Sequence, residues 1–147
     1  FSTASLHSNR YVTSCVSCEQ LSPVQTEEFS VEGRTVTLSY HLSSQVSSDS
    51  FFFWYRQHPG KPPEFLVSHT RKGQILNRRV SGLSVTADDS KTQMDLIISS
   101  AAVTDSAVYY CALSQYDQYQ SRAGVIKDLL MKVAAGESSV LVQVDLG

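Results

Sequence analysis

From Ser22 to Leu113 apolar and polar positions alternate with a period of two, in short runs rich in Val, Thr, Tyr, Phe and Ile and separated by polar turn clusters. That period is the signature of half-buried antiparallel strands. Val36, Leu38 and Tyr40 alternate with Thr35, Thr37 and Ser39, which predicts a strand with one face inward and one face wet, entered from the turn Glu32-Gly33. Phe51 to Gln57 reads as a second strand, and His58-Pro59-Gly60-Lys61-Pro62-Pro63 as a Pro-Gly reversal before a return strand through Phe65, Leu66 and Val67. Leu83 and Val85, a turn at Asp88-Asp89-Ser90-Lys91, and Met94, Leu96 and Ile98 predict a hairpin. Ala107, Tyr109 and Cys111 share one face of a last strong strand. Strand signals spaced this evenly predict an all-β sandwich or barrel and argue against βαβ units.

Composition narrows the function classes. The chain has 147 residues, 12 Lys+Arg against 14 Asp+Glu, and a formal net charge of −2. No basic footprint for nucleic acid or an anionic membrane is present, and no apolar run approaches the roughly 18 residues of a spanning helix. The sequence starts at Phe1, its first methionine is Met94, and residues 1 to 14 lack the apolar segment of a secretory signal. Three cysteines, Cys15, Cys18 and Cys111, allow at most one intrachain disulfide. Cys15-Val16-Ser17-Cys18 spells CxxC, but neither a helix-bearing redox setting nor a second ligand pair accompanies it. His7, His41, His58 and His69 are scattered, mostly in predicted loops. There is no GxSxG, no HExxH, no triad in a usable order and no Asn-x-Ser/Thr sequon. No enzyme activity, metal or cofactor is expected.

Four blocks carry a family resemblance: Glu32-Gly33 before Val36-x-Leu38; Trp54-Tyr55-Arg56-Gln57; Pro59-Gly60-Lys61-Pro62-Pro63-Glu64-Phe65-Leu66; and Asp105-Ser106-Ala107-Val108-Tyr109-Tyr110-Cys111-Ala112-Leu113. Together they resemble an immunoglobulin variable domain, most closely a T-cell receptor alpha (or delta) variable segment, with a framework wording nearer to fish receptors than to mammalian ones. The resemblance implies a V-type two-sheet Greek-key sandwich over residues 18–113. Residues 1–17 are then a leader remnant or non-native extension, and residues 114–147 an atypical tail in place of a joining segment. It implies a structural core of Tyr40, Trp54, Leu96, Asp105, Tyr109 and Cys111, with Tyr109 forming the tyrosine corner.

One departure stands out. Tyr40 occupies the place of the family's strand B cysteine, 14 residues before Trp54, so the usual bridge to Cys111 cannot form. Either Tyr40 packs over Trp54 and Cys111 stays a buried thiol, or a Cys18–Cys111 disulfide replaces the family bridge, since the first strand would bring Cys18 level with Tyr40 and Cys111. In the lower core the family's Arg partner for Asp105 is missing from its usual place. Arg79 is the nearest candidate.

The resemblance also implies the working surfaces. Three recognition loops are expected, about His41 to Ser50, about His69 to Ile75, and from Ala112 onward. Their candidate antigen contacts are His41, Ser44, Gln45, Ser48, Asp49, His69, Arg71, Lys72, Gln74, Ser114, Gln115 and Tyr116. The partner-chain face is expected to use Tyr55, Gln57, Pro63, Phe65 and Tyr110, which would leave an exposed apolar patch on the lone domain, though Phe65 could equally complete the core. The implied partners are a beta-like variable domain, peptide presented by a major histocompatibility molecule and, through constant and membrane regions, signalling subunits, at the outer face of the plasma membrane. A germline-encoded innate receptor or adhesion domain of the same fold is the alternative, marked by an intact final strand. The tail SQYDQYQSRAGVIKDLLMKVAAGESSVLVQVDLG has no Phe-Gly-x-Gly. Val140, Val142 and Val144 alternate as a weak strand, and Val125, Ile126, Leu129, Leu130 and Val133 recur at helical spacing between Ala123 and Ala135. Residues 1–14 and 114–147 are accordingly expected to be translated flanks around an unrearranged variable exon.

Overall fold

The computed structural model describes residues 21–43, 46–87, 92–114 and 139–146. Among them two sheets face each other. The smaller contains β1 (Leu21–Pro23), β3 (Val36–Leu42), β8 (Gln93–Ile98) and β7 (Leu83–Thr86), in the order β1-β3-β8-β7. The larger contains β2 (Glu27–Val31), β10 (Ser139–Asp145), β9 (Ala107–Ser114), β4 (Phe51–Gln57), β5 (Glu64–Thr70) and β6 (Ile75–Arg78), in the order β2-β10-β9-β4-β5-β6. The all-β sandwich expected from the alternation, in the V-type form that the resemblance implies, is the observed fold. The hairpin expected around Asp88-Asp89 is there as the antiparallel β7–β8 pair, with Val85 opposite Leu96.

The period of two explains which side of each strand is dry. Along β3, Val36, Leu38, Tyr40 and Leu42 are buried while Thr37 and His41 are exposed. Met94, Leu96 and Ile98 meet them from β8, and Phe52, Trp54, Ala107, Tyr109 and Cys111 come from the opposite sheet to form one continuous core. Tyr40, with no exposed surface, stands edge-on to Trp54 with ring centroids 5.3 Å apart and an interplanar angle of 88°. The phenol thus fills the inter-sheet space beside Cys111, and an edge-to-face pair is the arrangement that aromatic quadrupoles favour. Cys18, the other half of the expected disulfide, lies outside the described residues.

Turns follow their sequence cues. Lys61 N–H donates to the carbonyl of His58 at 3.1 Å, and Gly60 at φ 73° supplies the positive φ that a type II turn requires after Pro59. In the lower core the expected Arg79–Asp105 pair is not formed. Arg56 takes that place, its Nη1 lying 3.0 Å from Asp105 Oδ1 and its Nε 3.0 Å from Glu64 Oε1. The reason is direction: β4 carries Arg56 on the inward face opposite Tyr109, whereas Arg79 is exposed beyond the end of β6. Tyr109 Oη donates to the Asp105 carbonyl at 2.7 Å, the tyrosine corner, and Asp105 Oδ2 accepts from Ala102 N–H at 2.9 Å.

The expectation that the tail stands outside the fold is corrected for its last strand. β10 inserts between β2, which it pairs in parallel, and β9, which it pairs antiparallel. Val140, Val142 and Val144 are buried in the main core, so the alternation that looked weak is a complete core-facing stripe. The helical pattern between Ala123 and Ala135 falls outside the described residues.

Candidate functional site

Two surfaces qualify: the end of the sandwich where β3 leads to β4 and β5 to β6, and the outer face of the six-stranded sheet. At the loop end the strands run further than their sequence suggests. The second loop shrinks to residues 71–74, closed by Thr70 N–H to the Gln74 carbonyl at 2.9 Å, Gly73 N–H to the Thr70 carbonyl at 3.0 Å and Gln74 N–H to Thr70 Oγ1 at 3.1 Å. Lys72 and Gln74 are exposed on it, as are Ser48 and Asp49 on the first loop and His41 at the end of β3. Ser114 is the last residue of β9, opposite Phe51, so that strand continues past Ala112, where the third loop was expected to begin. Ser44, Gln45, Gln115 and Tyr116 lie outside the described residues.

One candidate contact is corrected. His69 is not a loop residue: it sits in β5 opposite Phe52 with no exposed surface. Its ring stacks on Phe52 at 5.3 Å, Nε2 accepts from Trp54 Nε1–H at 2.9 Å, and Nδ1 lies 2.7 Å from the Thr70 carbonyl. The indole can only donate, so Nε2 is the acceptor and the proton sits on Nδ1, where it is given to Thr70. Burial pushes the imidazole down to about 4, against a smaller opposing effect of the Thr70 hydrogen bond. Arg71 is also largely buried, at 9% exposure. The alternation left His69 in a loop because Ser68, His69 and Thr70 are polar by composition, although His69 faces the inter-sheet core opposite Phe52 and Ser68 is buried on the outer face opposite Phe53.

On the sheet face the expected exposed apolar patch is absent at its centre. Tyr55 and Tyr110 are 1% and 3% exposed in the chain by itself, in a second cluster with Phe53 and Ala112, against which Phe51, Phe65 and Val108 pack. Tyr55 and Phe65 meet edge-on at 5.5 Å, so half-buried Phe65 belongs to this outer cluster and not to the inter-sheet core. Gln57 donates from Nε2 to the Lys61 carbonyl at 3.0 Å, and Pro63 is half-buried. Apolar exposure lies instead toward the β2 and β10 margin, at Phe29, Val31 and Leu141. Between that margin and the Pro-Gly turn runs a groove of about 430 Å³ lined by Gln57, His58, Gly60, Val108, Leu141 and Gln143 among others.

Among the described residues no group of His, Cys, Asp and Glu side chains could hold a metal ion, and no helix is long and apolar enough to cross a membrane.

The sequence matches the immunoglobulin V-set domain model over residues 24–126. Relatives include the mouse immunoglobulin iota chain, 36% identical over 96 residues, which cover 61% of this chain and 66% of that one. The rabbit T-cell receptor alpha chain V region RL-5 is 35% identical over 82 residues, covering 56% and 58%, and the mouse immunoglobulin omega chain 38% identical over 87 residues, covering 55% and 59%. The chain thus spans 58 to 66% of the length of these relatives. Domains of this kind are generally binding modules that associate with other immunoglobulin-like domains and typically work outside the cell or at its surface. With its two-sheet sandwich, its tyrosine corner and a model match that spans most of its length, the chain belongs to the immunoglobulin V-set domain family.

Proposed function

We propose that this chain is the antigen-recognition variable domain of a T-cell receptor alpha-like chain. It pairs through the outer face of its six-stranded sheet with a beta-like variable domain, binds peptide on a major histocompatibility molecule with its loop end, and works at the outer face of the plasma membrane. The observation that carries this reading is the V-set sandwich whose framework blocks resemble alpha segments, supported by the similarity to the rabbit alpha V region. Phe29, Val31 and Leu141 supply exposed apolar surface at the margin of the pairing face, and Ser48, Asp49, Lys72 and Gln74 supply an adaptable polar loop surface. Co-expression with beta-like variable domains, followed by light scattering and binding to peptide-loaded presenting molecules, tests it. A one-to-one heterodimer that binds is expected; a chain that stays monomeric with every beta-like partner refutes it.

A second reading, a germline-encoded innate receptor or adhesion V-set domain, is favoured by one specific observation, the complete β10 strand without a Phe-Gly-x-Gly motif. Binding to an unprocessed surface protein, with no beta-like partner required, separates it from the first.

A further inference from the structure

At the rim of the loop end two buried polar groups lack what their chemistry requires. Arg71 Nη1 and Ser50 Oγ are both inaccessible and have no hydrogen-bond partner. Their elements bring them together. β4 and β5 pair Phe51 with Thr70 and Phe52 with His69, so one further step of the same register sets Ser50 against Arg71. Because sides alternate along a strand, both stand on the inward side, one level above the Phe52–His69 stack, and not on the outer face with Phe51. Arg71 is held at its base by the closed 71–74 turn, in which Gly73 at φ 93° fits against Ala87.

Buried polar groups are nearly always satisfied, and an unpaired guanidinium N–H is the costliest kind of exception. A guanidinium beside a hydroxyl that can donate is complementary to a carboxylate, whose two oxygens accept one hydrogen bond from each. We propose that Arg71 and Ser50 form an anion subsite that takes one ligand carboxylate at the loop end, the guanidinium turning outward about its terminal torsions to meet it. The proposal deepens the antigen-recognition reading and rests on it: the carboxylate is that of an acidic side chain or of a peptide's C-terminus. Lys72, next in the chain, is exposed.

The test uses the intact chain, isotope-labelled, and follows its arginine side-chain resonances by NMR. Three probes are titrated: acetyl-Gly-Glu-Gly-amide, acetyl-Gly-Gly-Gly with a free carboxyl terminus, and neutral acetyl-Gly-Gln-Gly-amide. One resonance, absent in Arg71→Gln, is expected to shift saturably with a carboxylate probe and not with the neutral one, and the tighter of the two carboxylates identifies the source. Ser50→Ala, which keeps the guanidinium, is expected to weaken binding about tenfold, as loss of one hydrogen bond to a charged group does. An equal response to the neutral probe, no saturable arginine shift, or Ser50→Ala titrating like the wild type overturns the proposal. Should the heterodimer bind presented peptide while these titrations fail, only the subsite falls and the domain's function stands.

Discussion

At the scale of single residues, the core is specified by groups that do two things at once. Tyr40 fills the volume over Trp54 and carries a hydroxyl that burial drives well above its ordinary pKa, with Cys111 adding to that effect. Tyr40→Ala removes a fully buried ring between two sheets and is expected to cost about 3–5 kcal/mol by chemical denaturation. His69 is neutral in the fold because its Nε2 must accept from Trp54. Its folded pKa, about 4, lies below the 6.5 of an unperturbed imidazole, so between those values the unfolded chain binds the extra proton. Stability from this group is therefore complete above about pH 6.5 and falls as the pH drops toward 4, by up to about 3 kcal/mol. Denaturation midpoints measured from pH 7 to 4 should show this slope, and His69→Gln should flatten it. Asp105 holds Arg56 and caps Ala102 N–H, so Asp105→Ala leaves a largely buried guanidinium without one anionic partner and is expected to cost about 2–3 kcal/mol.

At the scale of elements, β10 decides whether the larger sheet is one piece. It bridges β2 and β9, and without it both would present open edges and the core would lose Val140, Val142 and Val144. Val142→Asp places an unpaired carboxylate where no surface is exposed, and loss of cooperative thermal unfolding, or a destabilisation above about 4 kcal/mol, is expected in calorimetry. The same scale shows what alternation can and cannot reveal. β3 and β8 were legible because their polar positions are wet, and the outcome is the simple rule of one dry face. β5 was legible only as far as Val67, since Ser68 and His69 are polar yet buried, Ser68 on the outer face opposite Phe53 and His69 in the core where it meets Trp54. β2 was missed because its pattern of alternating exposed and half-buried positions carries little apolar signal, and its place is set by pairing with β10.

At the scale of the molecule, the proposed pairing face and the proposed binding end lie on different parts of the sandwich. The centre of the face is closed within the chain, with Tyr55 and Tyr110 already buried, so association should depend on the margin at Phe29, Val31 and Leu141. Phe29→Asp is therefore expected to weaken heterodimer formation at least tenfold in sedimentation analysis while leaving the monomer's melting temperature within a few degrees, since the side chain is 66% exposed. The sequence by itself determined the strand sandwich and the Pro-Gly turn, because each depends on local periodicity or on a short motif whose geometry is intrinsic to the chain, while the Trp54 core and the tyrosine corner were legible through the resemblance of its framework blocks. Only the tertiary structure decided that Arg56 and not Arg79 meets Asp105, that His69 is a core group, that the outer tyrosines are closed, and that Ser50 and Arg71 each bury an unpaired polar atom. Those outcomes depend on which way a side chain faces once two sheets pack, and on registers that join residues far apart in sequence.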